Sequence, residues 1–510
     1  MMECMPGSML MRIFSAVALG AAMTGCGEEG RAVSDSGSQS GGTVDTGGTA
    51  PTSSGVPTGT ASQTASDSDA GSNSNSATQT TTGTATVTAS DSDTATGTST
   101  TSPGTTGPAT ATASSTGPGT TSDTGTTGDP CEGGMGGFDF SYLWVANTDQ
   151  GSISKVNTMT LVEEARYYSD PQMSGAANPS RTSVNIDGHF VVVSNRNSGW
   201  VTMVAAAVED CIDKNGNGMI DTSPNKDTLL PWGTDECVIW STQVTNNVFS
   251  GGAGPRATAW APGEFNKATC KYENQKVWIG WLTSPGQAVL GRIDGATGVV
   301  EATVPLPNWP VTADLANGYA PYGAAADAQG YIWTTAVFSG TAYRVDPVTL
   351  EVKLWTSPSG DSHYGMTVDS KGRPWFANYG GTHGGVSVFE PMTETWTVIP
   401  NTGNNLYRGI AVDSDSQVWI ANNGGTNPCG MMQVSGDTLT AVQFHTFPQC
   451  GTPVGMSIDV DGDVWLVDYN GWAYKIDPQT YDKTLVPIAN VHYTYSDMTG
   501  GGLVNAVIPK

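Results

Sequence analysis

One motif recurs four times in the second half of the chain and limits the folds that it can adopt. Each copy has an apolar run, an aspartate-containing turn and a second apolar run centred on tryptophan, as in residues 364–378 (YGMTVDSKGRPWFAN). The tryptophans Trp333, Trp375, Trp419 and Trp465 are 42, 44 and 46 residues apart. That period is typical of β-propeller blades, each of which buries its faces against its neighbours.

The number of copies predicts an all-β fold with seven blades in residues 131–510. Asp-x-x-Gly between two apolar runs, as at Asp369, indicates a tight hairpin, so we expect these aspartates to form turns rather than to act in catalysis. The first blade lacks an inner strand, and residues 495–504 supply one, which predicts that the ring closes beside that blade. The cores of the second strands are Trp144, Val192, Trp278, Trp333, Trp375, Trp419 and Trp465.

The N-terminal part of the chain predicts export and a lipid anchor. Within residues 1–25, the apolar run 13–22 is too short to span a bilayer as a helix but has the length of a signal-peptide core. Small residues ahead of a lone cysteine predict that Cys26 is lipidated, which would place the protein at the bacterial cell envelope, in the outer membrane or at the cell surface. The alternative is an ordinary secretory signal with a chance cysteine.

Residues 26–130 predict a disordered acidic tether between the anchor and the propeller. From residue 27 onward this segment lacks Phe, Tyr, Trp, Leu, Ile, Met and Lys, so it cannot bury enough apolar surface to offset its conformational entropy. It carries −9 of the net charge of −26, which leaves the propeller acidic as well. This net negative charge argues against a nucleic-acid partner. We also expect the protein to be a monomer.

The unit at 364–378 resembles the repeat of the virginiamycin B lyase family and of NHL propellers. The resemblance covers roughly residues 139–510 and implies a propeller; in the lyases, a His and Glu constellation with Mg²⁺ carries a carbon–oxygen elimination. Where that pattern implies Glu, this chain has Asn378, Asn422 and Asp468. The sequence therefore favours a binding module, with a lyase or hydrolase as the alternative and Mg²⁺ only in that case.

Strand alternation predicts a ligand site at one mouth of the central tunnel. Inner strands begin, and second strands end, on the same face of the disc. Arginine recognises carboxylate or phosphate and tyrosine adds rigid contact area, so we expect a small anionic ligand, a peptide or an envelope protein there. The predicted site comprises Arg181, Arg256, Tyr322, Tyr364 and Arg408 from inner strands, with Asn378 and Asn422 from second strands.

Two alternatives apply to these residues. The arginines and asparagines are equally consistent with ties between blades, because a propeller needs such ties. His363 is a weak candidate for an acid or base, since a lone histidine more often bonds a loop.

An insertion at about 210–237 resembles a calcium loop. Asp213, Asn215, Asn217, Met219 through its carbonyl, and Asp221 follow the spacing of oxygen ligands in D-x-[DN]-x-[DN]-G. Pro224 replaces the final glutamate, and Asp227, Asp235 or Glu236 is a possible substitute. We expect a structural Ca²⁺, the alternative being an Asn-Gly turn without metal.

Because exported proteins mature in an oxidising environment, we expect disulfides among the six cysteines that follow Cys26. The cysteines that flank the insertion, Cys211 and Cys237, should pair. Cys429 and Cys450 lie on one face of the disc, which leaves Cys131 with Cys270 as the least certain pair.

Overall fold

Seven antiparallel sheets follow one another along the part of the chain that the structure describes. The computed structural model describes residues 141–311, 317–380, 384–488 and 491–508, and all of them belong to one compact structural unit. Blade 1 has three strands in order β1-β2-β3, and blades 2 to 7 have four each. The predicted all-β, seven-bladed propeller is therefore confirmed.

The strands have the following bounds. They are β1 (Tyr142–Asn147), β2 (Ser152–Asn157) and β3 (Glu163–Tyr168) in blade 1; β4 (Pro179–Val184), β5 (Phe190–Asn195), β6 (Trp200–Ala205) and β7 (Val238–Gln243) in blade 2; β8 (Thr258–Ala261), β11 (Lys276–Ser284), β12 (Gln287–Asp294) and β13 (Val300–Pro305) in blade 3, with a separate hairpin of β9 (Glu264–Asn266) and β10 (Lys271–Glu273); β14 (Gly323–Ala326), β15 (Ile332–Thr335), β16 (Thr341–Val345) and β17 (Val352–Thr356) in blade 4; β18 (His363–Val368), β19 (Pro374–Asn378), β20 (Val386–Glu390) and β21 (Thr395–Val398) in blade 5; β22 (Asn405–Val412), β23 (Gln417–Gly425), β24 (Cys429–Ser435) and β25 (Thr440–His445) in blade 6; β26 (Pro453–Ile458), β27 (Val464–Asp468), β28 (Trp472–Ile476) and β29 (Lys483–Pro487) in blade 7. A short 3₁₀ helix (Val208–Asp210) precedes the insertion, and α1 (Gly501–Val507) follows the last blade.

The aspartate and tryptophan of each repeat are hydrogen-bonded to each other. In blade 6, Trp419 Nε1 donates to Asp413 Oδ2 at 2.8 Å, while Asp413 Oδ1 accepts from the backbone N–H of Asp415 and Gln417. The same pair recurs six residues apart in three other blades, with N···O distances of 2.9–3.0 Å. These aspartates therefore fix the hairpin and satisfy a buried indole, as the turn prediction requires.

The C-terminal segment closes the ring. Residues 491–498 run between β1 and β4: the backbone N–H of Trp144 donates to Met498 O at 2.9 Å, and that of Val184 donates to Asp497 O at 3.1 Å. The predicted closure beside blade 1 is thus confirmed, but the expected inner strand does not extend to residue 504, because residues 501–507 form a helix. Leu503 and Val504 continue this segment as part of α1, which contacts the inner strands β14, β18, β22 and β26 inside the tunnel.

The short helix is a feature that the sequence pattern does not predict. Seven residues are too few to form a stable helix alone, so tertiary contacts must hold it. The carboxylate of Asp497 accepts from the backbone N–H of Gly500 at 3.0 Å and of Leu503 at 2.7 Å, and Leu503 is buried. Within the described residues, no helix has both the length and the apolar character needed to cross a membrane.

Two predicted disulfides are present. Cys211 bonds Cys237 across the insertion, and Cys429 bonds Cys450 between blades 6 and 7. Cys270 is also disulfide-bonded. Its predicted partner Cys131, the signal peptide, Cys26 and the tether all lie outside the described residues.

Candidate functional site

The five predicted arginines and tyrosines of the mouth lie together. The guanidinium carbon of Arg181 lies 4.5 Å from the ring centroid of Tyr322, and that of Arg256 lies 5.2 Å from the same ring. The Tyr322 hydroxyl bonds that of Tyr364 at 3.0 Å, and Arg408 Nη1 donates to Tyr364 at 3.1 Å. All five are only 1–8% exposed, so these side chains fill the mouth rather than line an open channel.

Four further residues join them. Arg196 stacks on Tyr493 with 4.3 Å between guanidinium carbon and ring centroid, and Arg181 stacks on Tyr495 at 3.9 Å. Tyr379 accepts a hydrogen bond from Arg408 Nη2 at 3.3 Å. We call the whole set the Arg/Tyr cluster: Arg181, Arg196, Arg256, Arg408, Tyr322, Tyr364, Tyr379, Tyr493 and Tyr495.

Strand alternation explains why the sequence analysis missed Arg196 and Tyr379. Each comes directly after a second-strand amide, Asn195 or Asn378, and successive side chains in a strand point in opposite directions. The residue after the amide therefore faces the cluster. Tyr493 and Tyr495 lie on alternate positions of the closing segment, a signal that the same rule could have exposed.

The amides predicted to line the mouth are instead bonded within their own blades. Asn378 Nδ2 donates to Ser387 Oγ at 3.2 Å, and Asn422 Nδ2 donates to the carbonyl oxygen of Pro428 at 2.7 Å. Both side chains are fully buried. In this structure they stabilise blades 5 and 6 internally, so they neither line the mouth nor tie one blade to another.

Phenol hydroxyls form a continuous hydrogen-bonded group at the centre of the cluster. Tyr322 and Tyr493 hydroxyls lie 2.5 Å apart, and Tyr364 bonds both Tyr493 and Tyr495. Arg408 Nη1 donates to Tyr364 and to Tyr495, at 3.1 Å in each case. Burial, followed by the neighbouring phenols, raises the pKa of Tyr364 well above its ordinary value, so this hydroxyl stays protonated and can donate.

The positive charges of the cluster are poorly compensated. Among the residues that the structure describes, no carboxylate forms an ion pair with Arg181, Arg196 or Arg408. Nε of Arg196 and Nε of Arg408 are buried without a hydrogen-bond partner. Burial, together with the neighbouring guanidiniums of Arg256 and Arg181, lowers the pKa of Arg196. The site therefore concentrates positive charge in a desolvated volume.

His363 is placed where it cannot meet a ligand at the mouth. Its ring stacks on Phe376 at 4.1 Å and its Nδ1 lies 2.7 Å from the hydroxyl of Thr335, inside the blades. It is fully buried, and burial lowers its pKa despite the nearby Asp361 carboxylate. A neutral, enclosed imidazole of this kind supports packing.

The described residues do not fit the Mg²⁺ chemistry implied by the resemblance. Across the described ranges, no group of three or more His, Cys, Asp or Glu side chains could hold a metal ion. The positions where glutamates were expected carry the buried Asn378 and Asn422, and Asp468, whose carboxylate accepts backbone N–H groups of Gly451 and Thr452. We therefore derive no step through such a metal.

The insertion brings its predicted oxygen ligands together. Asp213 accepts from the backbone N–H groups of Gly216 and Gly218, and Asn215 and Asn217 donate their amide N–H groups to Asp221 Oδ2 at 2.8 and 3.0 Å. The amide oxygens of Asn215 and Asn217 in turn accept from the backbone N–H groups of Asn217 and Met219. The Met219 side chain is exposed.

Among the candidate substitutes for the final ligand, Glu236 folds back onto this loop. Its carboxylate accepts from the backbone N–H groups of Lys214, Asn215 and Asp221. Asp235 instead bonds Thr222 and Ser223, and Asp227 pairs with Lys226 at the surface.

Comparisons with known proteins concern the fold. No family model and no curated protein matches the sequence. Among solved structures, virginiamycin B lyase from Staphylococcus aureus is similar at 15% identity and a TM-score of 0.40, over 61% of this chain and 85% of that one. Hydrazine synthase from Kuenenia stuttgartiensis (11%, TM-score 0.45, over 65% and 91%) and apo AztD from Citrobacter koseri (9%, TM-score 0.45, over 70% and 97%) are also similar. This chain is a seven-bladed β-propeller, and a virginiamycin B lyase is among the solved structures that it is similar to.

Proposed function

We propose that this protein is a binding module of the cell envelope that holds a small anionic ligand against the Arg/Tyr cluster at the mouth of its tunnel. One observation carries the proposal: three buried guanidiniums, those of Arg181, Arg196 and Arg408, have no described carboxylate partner. Guanidinium groups match carboxylate and phosphate oxygens in geometry as well as in charge.

Energetics favour an anion at this position. Burying a cation costs several kcal/mol, whereas a cation–π contact returns only about 0.5–2 kcal/mol. Tyrosine hydroxyls and backbone carbonyls accept hydrogen bonds from guanidinium N–H groups of the cluster. The N–H groups at Nε of Arg196 and of Arg408 have no acceptor. An anion would neutralise charge and accept from these donors at once.

The enzyme alternative has weaker support. A lyase or hydrolase at the same mouth needs a general base beside the ligand. The candidate His363 is enclosed between blades, where it cannot reach a ligand at the mouth. The proposal is therefore binding without turnover.

The envelope location rests on the N-terminal sequence. Cys26 follows an apolar run and small residues, and the acidic residues 26–130 suit a tether between membrane and propeller. Replacing Cys26→Ser removes the thiol that a lipid requires, so the full chain should move from the membrane to the soluble fraction. Retention of Cys26→Ser in the membrane would overturn this part of the proposal.

A structural Ca²⁺ in the insertion is a second proposal. It is supported by the contacts of Asn215 and Asn217 with Asp221, by the turn that Asp213 forms with the backbone of Gly216 and Gly218, and by Glu236 against the same loop. Six or more oxygens around a hard cation is the coordination that Ca²⁺ prefers. Its role would be to fix the insertion.

Calorimetric titration of the full chain with acetate, sulfate and phosphate tests the anion proposal. At least one should bind, with an affinity that falls as NaCl is raised, because chloride is itself an anion and competes for the same guanidinium groups. Arg408→Gln should abolish that binding. Arg344→Gln is the matched control, since Arg344 also stacks on aromatic rings but lies outside the cluster. Binding by none of the three anions, or equal loss in both variants, would contradict the proposal.

A further inference from the structure

Two Asn-Gly pairs follow one another in the insertion, and all four residues are exposed. The pairs are Asn215–Gly216 and Asn217–Gly218. Both glycines have a positive φ, 73° and 84°, and nothing lies within 4 Å of a Cβ placed on either of them. Solvent and open space therefore surround the peptide bonds that follow the two asparagines.

An Asn-Gly pair can undergo a reaction of its own in water. The glycine nitrogen attacks the side-chain amide carbon of the asparagine, because glycine has no Cβ to obstruct the approach. A bond forms between that nitrogen and the amide carbon, the bond from this carbon to the amide nitrogen breaks, and ammonia leaves with the proton of the glycine N–H. Water then opens the cyclic imide to aspartate or isoaspartate. Water is the only co-reactant, and the product carries an additional negative charge.

One carboxylate holds both of the attacking nitrogens. The N–H of Gly216 donates to Asp213 Oδ1 at 2.6 Å, and the N–H of Gly218 donates to Asp213 Oδ2 at 2.9 Å. A nearby negative charge favours the protonated form of such a group, whereas the attack requires its proton to leave. Asp213 therefore slows the reaction in both pairs.

A second carboxylate holds the amides that would react. Nδ2 of Asn215 and Nδ2 of Asn217 donate to Asp221 Oδ2 at 2.8 and 3.0 Å. Each side chain must rotate toward the following glycine nitrogen before the imide ring can close, and these hydrogen bonds must break first. The folded loop thus restrains both partners of the reaction.

We propose that Asn215 and Asn217 form a spontaneous deamidation site, which Asp213 and Asp221 keep in the amide form while the loop is folded. Each conversion to aspartate replaces an amide N–H that faces Asp221 by a carboxylate. Carboxylates at this distance repel one another unless a cation lies between them. The converted loop should therefore bind Ca²⁺ more tightly, a consequence that rests on the calcium proposal, whereas the modification itself does not.

Peptide mass mapping of the full chain during incubation at mildly alkaline pH tests the site. Deamidation adds about 1 Da to the peptide that carries it. Conversion at Asn215 and Asn217 should be slow in the folded protein and several times faster in the protein unfolded by urea. Asn470–Gly471 is the internal comparison: Asn470 is exposed, and the N–H of Gly471 makes no hydrogen bond with a described residue. In the folded protein this pair should convert before the insertion does.

Asp213→Ala distinguishes protection by this carboxylate from a general effect of the insertion. The variant should deamidate in the insertion several times faster than the wild type. Glu236→Gln is the matched control, because the Glu236 carboxylate bonds three other backbone N–H groups of the loop and neither attacking nitrogen. Its rate should stay that of the wild type. Equal rates in wild type and Asp213→Ala, or equally fast conversion in folded and unfolded wild type, would overturn the proposal.

Asn215→Asp and Asn217→Asp reproduce the aspartate product and test the consequence for Ca²⁺. Calorimetric titration should show each variant binding Ca²⁺ severalfold more tightly than the wild type, since the charge of the ligands sets the affinity of such loops. Unchanged or weaker binding in both variants would overturn this consequence. Absence of Ca²⁺ binding in all three proteins would overturn the calcium proposal, and the deamidation site would stand on the mass mapping alone.

Discussion

The guanidinium of Arg196 lies 4.3 Å from the ring centroid of Tyr493, and its Nε is buried without a hydrogen-bond partner. The amide oxygen of Asn178 accepts from its Nη2, and no described carboxylate reaches it. An uncompensated buried cation destabilises the empty protein. A substitution at Arg196 therefore distinguishes a role of this residue in ligand binding from a role in stabilising the fold.

Arg196→Met should abolish anion binding while the empty protein unfolds at the same temperature or a higher one. Methionine is apolar and flexible, so it fills the space without leaving a charge. Calorimetric titration with phosphate and a thermal melt without it measure the two effects. Arg344→Met, at a stacked arginine outside the cluster, should keep binding. A loss of stability of more than about 2 kcal/mol in Arg196→Met would instead assign the residue to ties between blades.

Gly365→Ala should destabilise the propeller at the contact between blades 5 and 6. A Cβ at this position would lie 2.0 Å from the carbonyl oxygen of Arg408, which a folded chain does not tolerate without moving the inner strands apart. We expect a cost of about 1–3 kcal/mol in the free energy of unfolding, the usual range for overpacking. Urea unfolding measures it.

Gly403→Ala is the control for the effect of alanine on the unfolded chain. Nothing lies within 4 Å of a Cβ placed there, so its stability should change by less than about 0.5 kcal/mol. If Gly365→Ala and Gly403→Ala had the same free energy of unfolding, blades 5 and 6 would be shown to move apart without an energetic cost.

The buried imidazole of His445 should make the folded protein less stable in mild acid. Burial, aided by the positive charge of Lys483, lowers the pKa of this imidazole from 6.5 to about 4. Because the folded pKa lies below the unfolded one, the contribution is fully present above pH 6.5 and is lost as the pH falls to about 4. The difference corresponds to about 3 kcal/mol.

Unfolding free energies of wild type and His445→Gln between pH 7 and 4 measure this contribution. Glutamine binds no proton in that window, so the variant should lose less stability than the wild type on acidification. The comparison is made as a difference because burial raises the pKa of Asp413, which acts with the opposite sign in both proteins. Parallel pH curves would show that His445 does not titrate in this way.

Calcium removal should lower the melting temperature of the full chain if the insertion holds the ion. EGTA should reduce it and excess Ca²⁺ should restore it, since a ligand that binds only the folded state stabilises that state. Asp213→Asn should remove the response, whereas Asp482→Asn, at an exposed residue of the distant blade 7, should keep it. An unchanged melting curve with EGTA would favour the metal-free turn.

The central residues of the candidate site could be predicted from the sequence. There are physical reasons why the other residues could not. Aligned inner strands identified Arg181, Arg256 and Arg408, because equivalent positions of successive blades meet at the axis. The amides were misplaced by one residue, since a strand reverses side-chain direction at every step. Arg196 and Tyr379 were missed for the same reason, because each follows such an amide by one residue.

The sequence by itself determined the number of blades, the turns, two disulfides and the position at which the ring closes. These follow from local spacing: the aspartate and tryptophan of the motif are six residues apart in blades 4 to 7, as Asp413 and Trp419 are, and a hairpin brings them together. Only the tertiary structure decided that the mouth is filled, that α1 enters the tunnel and that no carboxylate among the described residues pairs with Arg181, Arg196 or Arg408. Those features depend on which side chains from five blades and the closing segment share one desolvated volume, and closing the ring is what brings them there.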